Sequence, residues 1–140
     1  MTLPYRTSIS VRLFDCDAQG HLSGAAYLNY ASHALWSCVR AAGVDVEQML
    51  RDGLGPVHLE TKIRYLREFR CGDEIDVTCD LTFDGSKVYR VMSEFMSAAR
   101  DLGAAVESVC GLLDLSTRRL HGNPAEQWRQ RAARPEMLGL

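Results

Sequence analysis

The sequence predicts an α+β fold in which a long antiparallel sheet curls around a single buried helix. Two observations carry this expectation. The segment from about Gly24 to Ala42 is rich in alanine and apolar nearly all round, the pattern of a helix enclosed by protein. After it, apolar and polar residues alternate through four runs separated by short turn signals, the pattern of antiparallel strands. A helix with almost no polar face needs something to wrap it, and a long curled sheet can do so.

The elements follow in order. Tyr5 to Phe14 alternates, with Tyr5, Thr7, Ile9, Val11 and Leu13 on one face, so a half-buried first strand is expected. Asp15 to Gly20 is polar and carries turn residues. The helix follows, with Gly43 as its stop. Asp45 is a natural N-cap for a short helix to Arg51 or Asp52, closed by Gly53. Val57, Leu59, Thr61, Ile63 and Tyr65 then alternate with His58, Glu60, Lys62 and Arg64, and the phase breaks near Leu66, where a bulge is expected. Cys71-Gly72-Asp73 is a turn. Ile75 to Phe83 alternates, Asp84-Gly85 signals a hairpin, and Lys87 to Ala98 reads as a central strand. Asp101 to Gly103 turns the chain into a last long strand from Ala104 to Leu115. Asn123-Pro124 closes the core, and Glu126 to Arg134 is expected as a short helix or a frayed tail.

The 140 residues suit one domain spanning 1–140, with a core of about 5–124 and a short tail over 125–140. Hydrophobic residues make up 46% and charged residues 24%, as in ordinary globular proteins. A net charge of −2 gives no general field for nucleic acid or an anionic membrane, so neither is expected as a partner. The start, Met1-Thr2-Leu3-Pro4-Tyr5-Arg6, lacks the apolar run of a secretory signal, and no apolar stretch is long enough to cross a bilayer. The five cysteines are scattered and form no C-x-x-C pair. Buried thiols in a reducing cytoplasm are the simplest expectation, with no structural zinc.

The chemistry concentrates in Asp15-Cys16-Asp17-Ala18-Gln19-Gly20-His21, followed by Tyr27-Leu28-Asn29-Tyr30. Two acids stand just before a helix N-terminus, where unpaired N–H groups and the helix dipole favour negative charge. Such a site can polarise a carbonyl oxygen, and a carboxylate beside it can attack or activate water. The same residues also suit an N-capping aspartate in a plain turn.

The segment resembles the D-x-D-x-x-G-H signature of the 4-hydroxybenzoyl-CoA thioesterase family, within the hot-dog superfamily. Tyr65-Leu66-Arg67 before Cys71-Gly72-Asp73, Pro56-Val57 leading a strand, and a late strand ending before a proline agree with it. The resemblance covers about residues 5–124. It implies a hot-dog fold and hydrolysis of an acyl-CoA, or of an acyl group on a carrier protein, with coenzyme A as part of the substrate and no separate cofactor. Asp17 matches the family's catalytic carboxylate, as nucleophile or general base. The backbone of Gly24 and Ala25 matches the helix start that polarises the thioester carbonyl, and Asp15 becomes a structural turn or cap residue. Ser23-Gly24 and Ser32 depart from the family, where asparagine or histidine and an acid are common, and they make the pocket smaller and less polar. His21, Ser23, Tyr27, His58, Thr61 and Arg64 are candidates for the substrate pocket. Lys87, after the Asp84-Gly85-Ser86 turn, is a candidate for the nucleotide phosphates, with Arg90 as a further helper. His33 on the helix reads as a core residue.

Two other readings keep the fold. An acyl-thioester hydratase or dehydratase would want its acid on the helix, not before it. A non-catalytic acyl-CoA-binding module would not need Asp17. No G-x-S-x-G elbow is present, which sets aside the α/β-hydrolase route. Finally, no strand proline or run of edge lysines blunts the outer strands. A homodimer or homotetramer is therefore expected, with each site shared between subunits, as the resemblance implies.

Overall fold

The computed structural model describes residues 4–140; the first three, part of the start read above, lie outside it. Six strands and three helices follow one another as β1 (Tyr5–Ser10), α1 (Ala26–Ala41), α2 (Val46–Arg51), β2 (Leu54–Tyr65), β3 (Glu74–Phe83), β4 (Tyr89–Met96), β5 (Leu102–Asp114), β6 (Arg119–Leu120) and α3 (Pro124–Arg131). The main sheet is antiparallel in the order β1-β3-β4-β5-β2, with β6 added to β5. It curls around α1, as expected for a hot-dog fold. The concave face is built by strict alternation: Ile75, Val77, Cys79 and Leu81 of β3, and Tyr89, Val91, Ser93 and Phe95 of β4, are all buried. Ala34, Cys38 and Val39 of α1 press into that face with no exposed surface.

The enclosure is one-sided. Leu28, Asn29, His33 and Arg40 of α1 are exposed, so the helix is not buried all round, and His33 is not a core residue. A five-stranded sheet curls around only part of a helix's circumference, and the other side stays open in a single chain. The first strand also stops earlier than its alternation suggests. The chain leaves β1 at Ser10 and forms a 3-10 turn at Leu13–Asp15, which leaves Leu13 and Phe14 at 77% and 78% exposure.

The irregularity in β2 lies between His58 and Glu60, not near Leu66. Leu59 is the extra residue, and beyond it the alternation changes phase. His58 faces Cys110, and Thr61 faces Ser108 with a 3.0 Å hydroxyl contact. Both therefore project onto the concave side, whereas simple alternation would set them on opposite faces. Glu60 turns to the convex side, beside Lys62, Arg90 and Glu107. Contrary to the expectation that no strand proline sits on the outer strands, Pro56 lies inside edge strand β2, paired with Leu112, where an edge strand tolerates a missing N–H. The turn before β5 runs from Ser97 to Asp101, with Arg100 at φ 68°. Gly103 belongs to the strand, and a Cβ there would collide with the Phe69 ring.

The C-terminal segment is part of the core. Asn123 caps α3 by accepting from the Glu126 N–H at 3.2 Å, with Pro124 in the first turn. This is a strong start signal. Trp128 is only 2% exposed and meets Tyr89 edge-on at 6.2 Å, and Leu138 is fully buried. Trp128→Ala should therefore cost about 3–5 kcal/mol. The cost would be read as a lower urea midpoint at unchanged slope; a midpoint within error of wild type would show that α3 is not part of the cooperative core.

Candidate active site

The chain between β1 and α1 is held by a ladder of backbone hydrogen bonds. Cys16 pairs with Leu22, and His21 with Arg70. The Asp17 N–H donates to the His21 carbonyl at 2.8 Å, and the Leu22 N–H to the Phe69 carbonyl at 2.8 Å. The turn between them needs Gly20, at φ 77°. Asp17 sits at the head of this turn. Its Oδ1 accepts from the Gln19 N–H at 2.9 Å and the His21 N–H at 3.2 Å, an Asx-type closure. Among the described residues Oδ2 carries no hydrogen bond. The carboxylate is thus fixed through one oxygen and presents the other.

Asp15 is tied elsewhere. Its Oδ2 accepts from the Tyr30 hydroxyl at 2.7 Å, and that hydroxyl accepts from the Arg12 N–H at 3.3 Å. It caps no helix. It locks the incoming chain to α1 one turn past the helix start, bordering a polar groove of about 510 Å³ that also holds Ser8, Ser10, Asn29 and His33.

Helix α1 begins without a side-chain cap at Ala25 and without an acid in its first turn. The Ala26 N–H reaches the Ser23 carbonyl and the Leu28 N–H the Ala25 carbonyl, while the N–H groups of Gly24 and Ala25 meet no acceptor among the described residues. Unpaired donors at a helix start, with no carboxylate satisfying them, form a site for a developing oxyanion.

Asp17, His21, Gly24 and Tyr27 line one cleft of about 350 Å³, together with Leu22, Tyr65, Leu66, Arg67 and Glu68. Ser23 and Ala25 flank Gly24 in the chain. The Tyr65 hydroxyl donates to the Gly24 carbonyl at 3.3 Å, and a Cβ on Gly24 would lie 3.3 Å from that hydroxyl. Tyr27 forms the floor. It packs edge-on against Tyr65 at 5.1 Å and at a tilt against Phe95 at 5.2 Å. Burial, with a smaller push from Tyr65, raises the Tyr27 pKa to about 12, so it stays a neutral phenol across the physiological range. His21 Nε2 lies 2.9 Å from Glu68 Oε2.

The remaining candidates are not in this cleft. His58 and Thr61 line a second cavity of about 250 Å³ beneath α1, with Leu28, Ser32, Leu35 and Ser93 among its walls. Arg64 is exposed on β2 and Lys87 on the β3–β4 turn; both lie outside the cleft. Strand register explains the separation. Tyr89, two residues after Lys87, pairs with Cys110, which faces His58, while Phe95 pairs with Ala104, which faces Tyr65. The two cavities therefore lie in succession along β2, the second at His58 to Thr61 and the cleft from Tyr65 onward, with adjacent helix residues Leu28 and Tyr27 in their respective walls. Arg67 and Glu68 are site residues that alternation did not single out, because they follow the end of β2; the only signal was Arg67's place in the Tyr65-Leu66-Arg67 run.

Comparison with known proteins agrees with this architecture. The sequence model of the Thioesterase-like superfamily matches residues 11–138. No curated protein matches the chain. Among solved structures, the 1,4-dihydroxy-2-naphthoyl-CoA thioesterase Slr0204 from Synechocystis superposes with a TM-score of 0.81 at 19% identity, covering 90% of this chain and 92% of that one. The probable thioesterase YbaW from Escherichia coli gives 0.78 at 20% identity, over 90% and 94%. The protein SAV2348 from Staphylococcus aureus, solved in complex with CoA, gives 0.82 at 19% identity, over 92% and 81%. At these identities the likeness is one of fold.

The anchoring role of Asp15 can be checked without any substrate. Tyr30→Phe removes the 2.7 Å hydrogen bond to a carboxylate and should cost about 1.5–3 kcal/mol. Asp15→Asn, which keeps an acceptor, should cost less. Equal stabilities in urea for wild type and Tyr30→Phe would rule the anchor out.

Proposed function

We propose that this chain, which belongs to the Thioesterase-like superfamily, hydrolyses the thioester of an acyl-CoA, or of an acyl carrier protein, to a free acid and a thiol. The 4-hydroxybenzoyl-CoA type is the branch its D-x-D-x-x-G-H motif resembles. The observation that carries the reading is the shared cleft: Asp17 with one unbonded oxygen stands in it beside the unpaired N–H groups at the start of α1. The known activity of the Synechocystis neighbour and the CoA bound by the Staphylococcus neighbour support the same substrate class.

The Gly24 and Ala25 N–H groups donate to the thioester carbonyl oxygen and strengthen as it becomes an oxyanion. Asp17 Oδ2 then acts in one of two ways. It attacks the carbonyl carbon itself, giving an anhydride that water opens, or it takes a proton from a water that attacks. Either way the tetrahedral intermediate collapses by breaking the C–S bond. A thiol with a pKa near about 8.5 leaves readily as thiolate, so no strong acid is needed beside it. Neutral Tyr27 and Leu22 exclude water from one wall.

The working unit is a homodimer or a tetramer built from it. β2 is a twelve-residue edge strand, and Leu59 and Tyr65 on it are 49% and 56% exposed. An open edge carrying apolar side chains asks for a strand to pair with. Antiparallel pairing of two β2 strands about a centre near Thr61–Lys62 sets Tyr65 opposite the partner subunit's His58. The cleft of one subunit then meets the partner subunit's second cavity across the two-fold axis. Asp17 reaches the thioester from one side, and the cavity at the partner subunit's His58 and Thr61 takes the acyl group. That cavity suits an aromatic or medium-length acyl chain. Lys87, with Arg64 or Arg90, contacts the nucleotide phosphates. The site lies in the cytoplasm, where acyl-CoA is made and used.

Asp17→Asn should lower acyl-CoA turnover by about 10³-fold or more with the fold intact, and Asp15→Asn much less. Near wild-type turnover in Asp17→Asn, followed by release of free thiol, would refute the assignment. The shared site makes a second expectation: specific activity should fall with dilution in step with dimer mass by light scattering, and a monodisperse, fully active monomer would refute it.

A further inference from the structure

The five cysteines do not share one environment. Cys38, Cys79 and Cys110 are buried, whereas Cys16 is half-exposed and Cys71 exposed. The two accessible cysteines come from distant parts of the sequence yet are brought to the same stretch of chain beside the candidate site. Cys71 opens the Cys71-Gly72-Asp73 turn, and its N–H donates to the Gly20 carbonyl at 3.2 Å, within the turn that holds Asp17. The next N–H, of Gly72, donates to the Val11 carbonyl at 2.9 Å. Cys16, immediately before Asp17, points its thiol at the Arg12 carbonyl, 3.3 Å away. Both residues thus sit against the Val11–Arg12 stretch, Cys16 through its thiol and Cys71 through the backbone of its turn.

We propose that Cys16 and Cys71 form a redox-modification site, in which a disulfide between them pins the Asp17 turn to the β2–β3 connection. The oxidant is hydrogen peroxide. The exposed Cys71 thiolate attacks the peroxide, the O–O bond breaks, and sulfenic acid and water form. Cys16 sulfur then attacks Cys71 sulfur, an S–S bond replaces the S–O bond, and a second water leaves. Two thiols lose two electrons and two protons, and one peroxide is reduced to two waters. Burial first, then Cys71 and the carboxylates of Asp17 and Asp15, hold the Cys16 thiol above its usual range, so the first encounter with peroxide falls to the exposed Cys71. The disulfide takes the Cys16 thiol from the Arg12 carbonyl and ties the residue next to Asp17 to a different part of the chain.

The experiment uses the full chain. Protein exposed to hydrogen peroxide is alkylated, digested without reductant and mapped by mass, with hydrogen–deuterium exchange measured on the same sample. The expected product is one cross-linked peptide pair joining Cys16 and Cys71, two hydrogens lighter than the free pair and reversed by dithiothreitol. Exchange across residues 16–22 should slow. Cys71→Ser and Cys16→Ser should each abolish the cross-link while giving the wild-type fold by circular dichroism. On the hydrolase reading above, acyl-CoA turnover should fall by about 100-fold on oxidation and recover with reductant, and Cys71→Ser should keep its turnover through the treatment. Separate sulfinic acids at the two positions, or a cross-link elsewhere, would overturn the site; a cross-link with unchanged exchange would overturn the pinning. If the protein proved to hydrolyse no thioester, the mass map and the exchange would still decide the proposal.

Discussion

The contact on which the molecule depends is the seating of α1 in the concave face of the sheet. Ala34, Cys38 and Val39 are small enough to let the helix approach closely, and each is fully buried. Opposite them, β3 and β4 offer an unbroken buried face from Ile75 to Leu81 and from Tyr89 to Phe95. Close packing of that kind leaves the helix one position and one rotation. Its N-terminus is therefore a fixed point, and the unpaired N–H groups of Gly24 and Ala25 are aimed by the core and not by the loop that carries them.

The loop is positioned by a separate set of constraints that all refer back to the same helix and sheet. Asp15 reaches forward to Tyr30, and Leu22 and Cys71 join the loop to the β2–β3 connection through Phe69 and Gly20. Phe69 in turn fills the space that Gly103 leaves open. Asp17 spends one oxygen on its own turn. The result is a carboxylate that is exposed and yet held in one orientation. The two aspartates of the motif divide the work between them, one holding the loop and the other facing the cleft.

The open side of α1 and the open edge of β2 are two views of one fact. A single sheet of this width covers only part of the helix. What remains uncovered, from Leu28 on α1 to Leu59 and Tyr65 on β2, lies around the cleft and the second cavity. The bulge at Leu59 adds to this, because it turns His58 and Thr61 together into the space beneath α1.

By itself the sequence determined the architecture. Period-two alternation in β3, the apolar helix and the caps at Asp45 and Asn123 are local signals, each set by neighbours within a few residues. The turn that holds Asp17 before the helix was legible too, because its signals are local. Several things were decided only by tertiary structure. Alternation is read with a constant phase, so the bulge that unites His58 with Thr61 and removes Glu60 could not be seen in it. Leu13 continues the pattern of β1 in sequence, yet the 3-10 turn lifts it into solvent. The apolar girdle of α1 showed that the helix needs covering, but not that one chain covers only one side. Glu126 to Arg134 looks polar because Trp128 is a single buried anchor in a charged segment, and what buries it is Tyr89, far away in the chain. The approach of the Cys71 turn to the segment before Cys16 belongs to the same class. Local propensity acts over a few residues, while these outcomes depend on which distant strands the chain brings alongside.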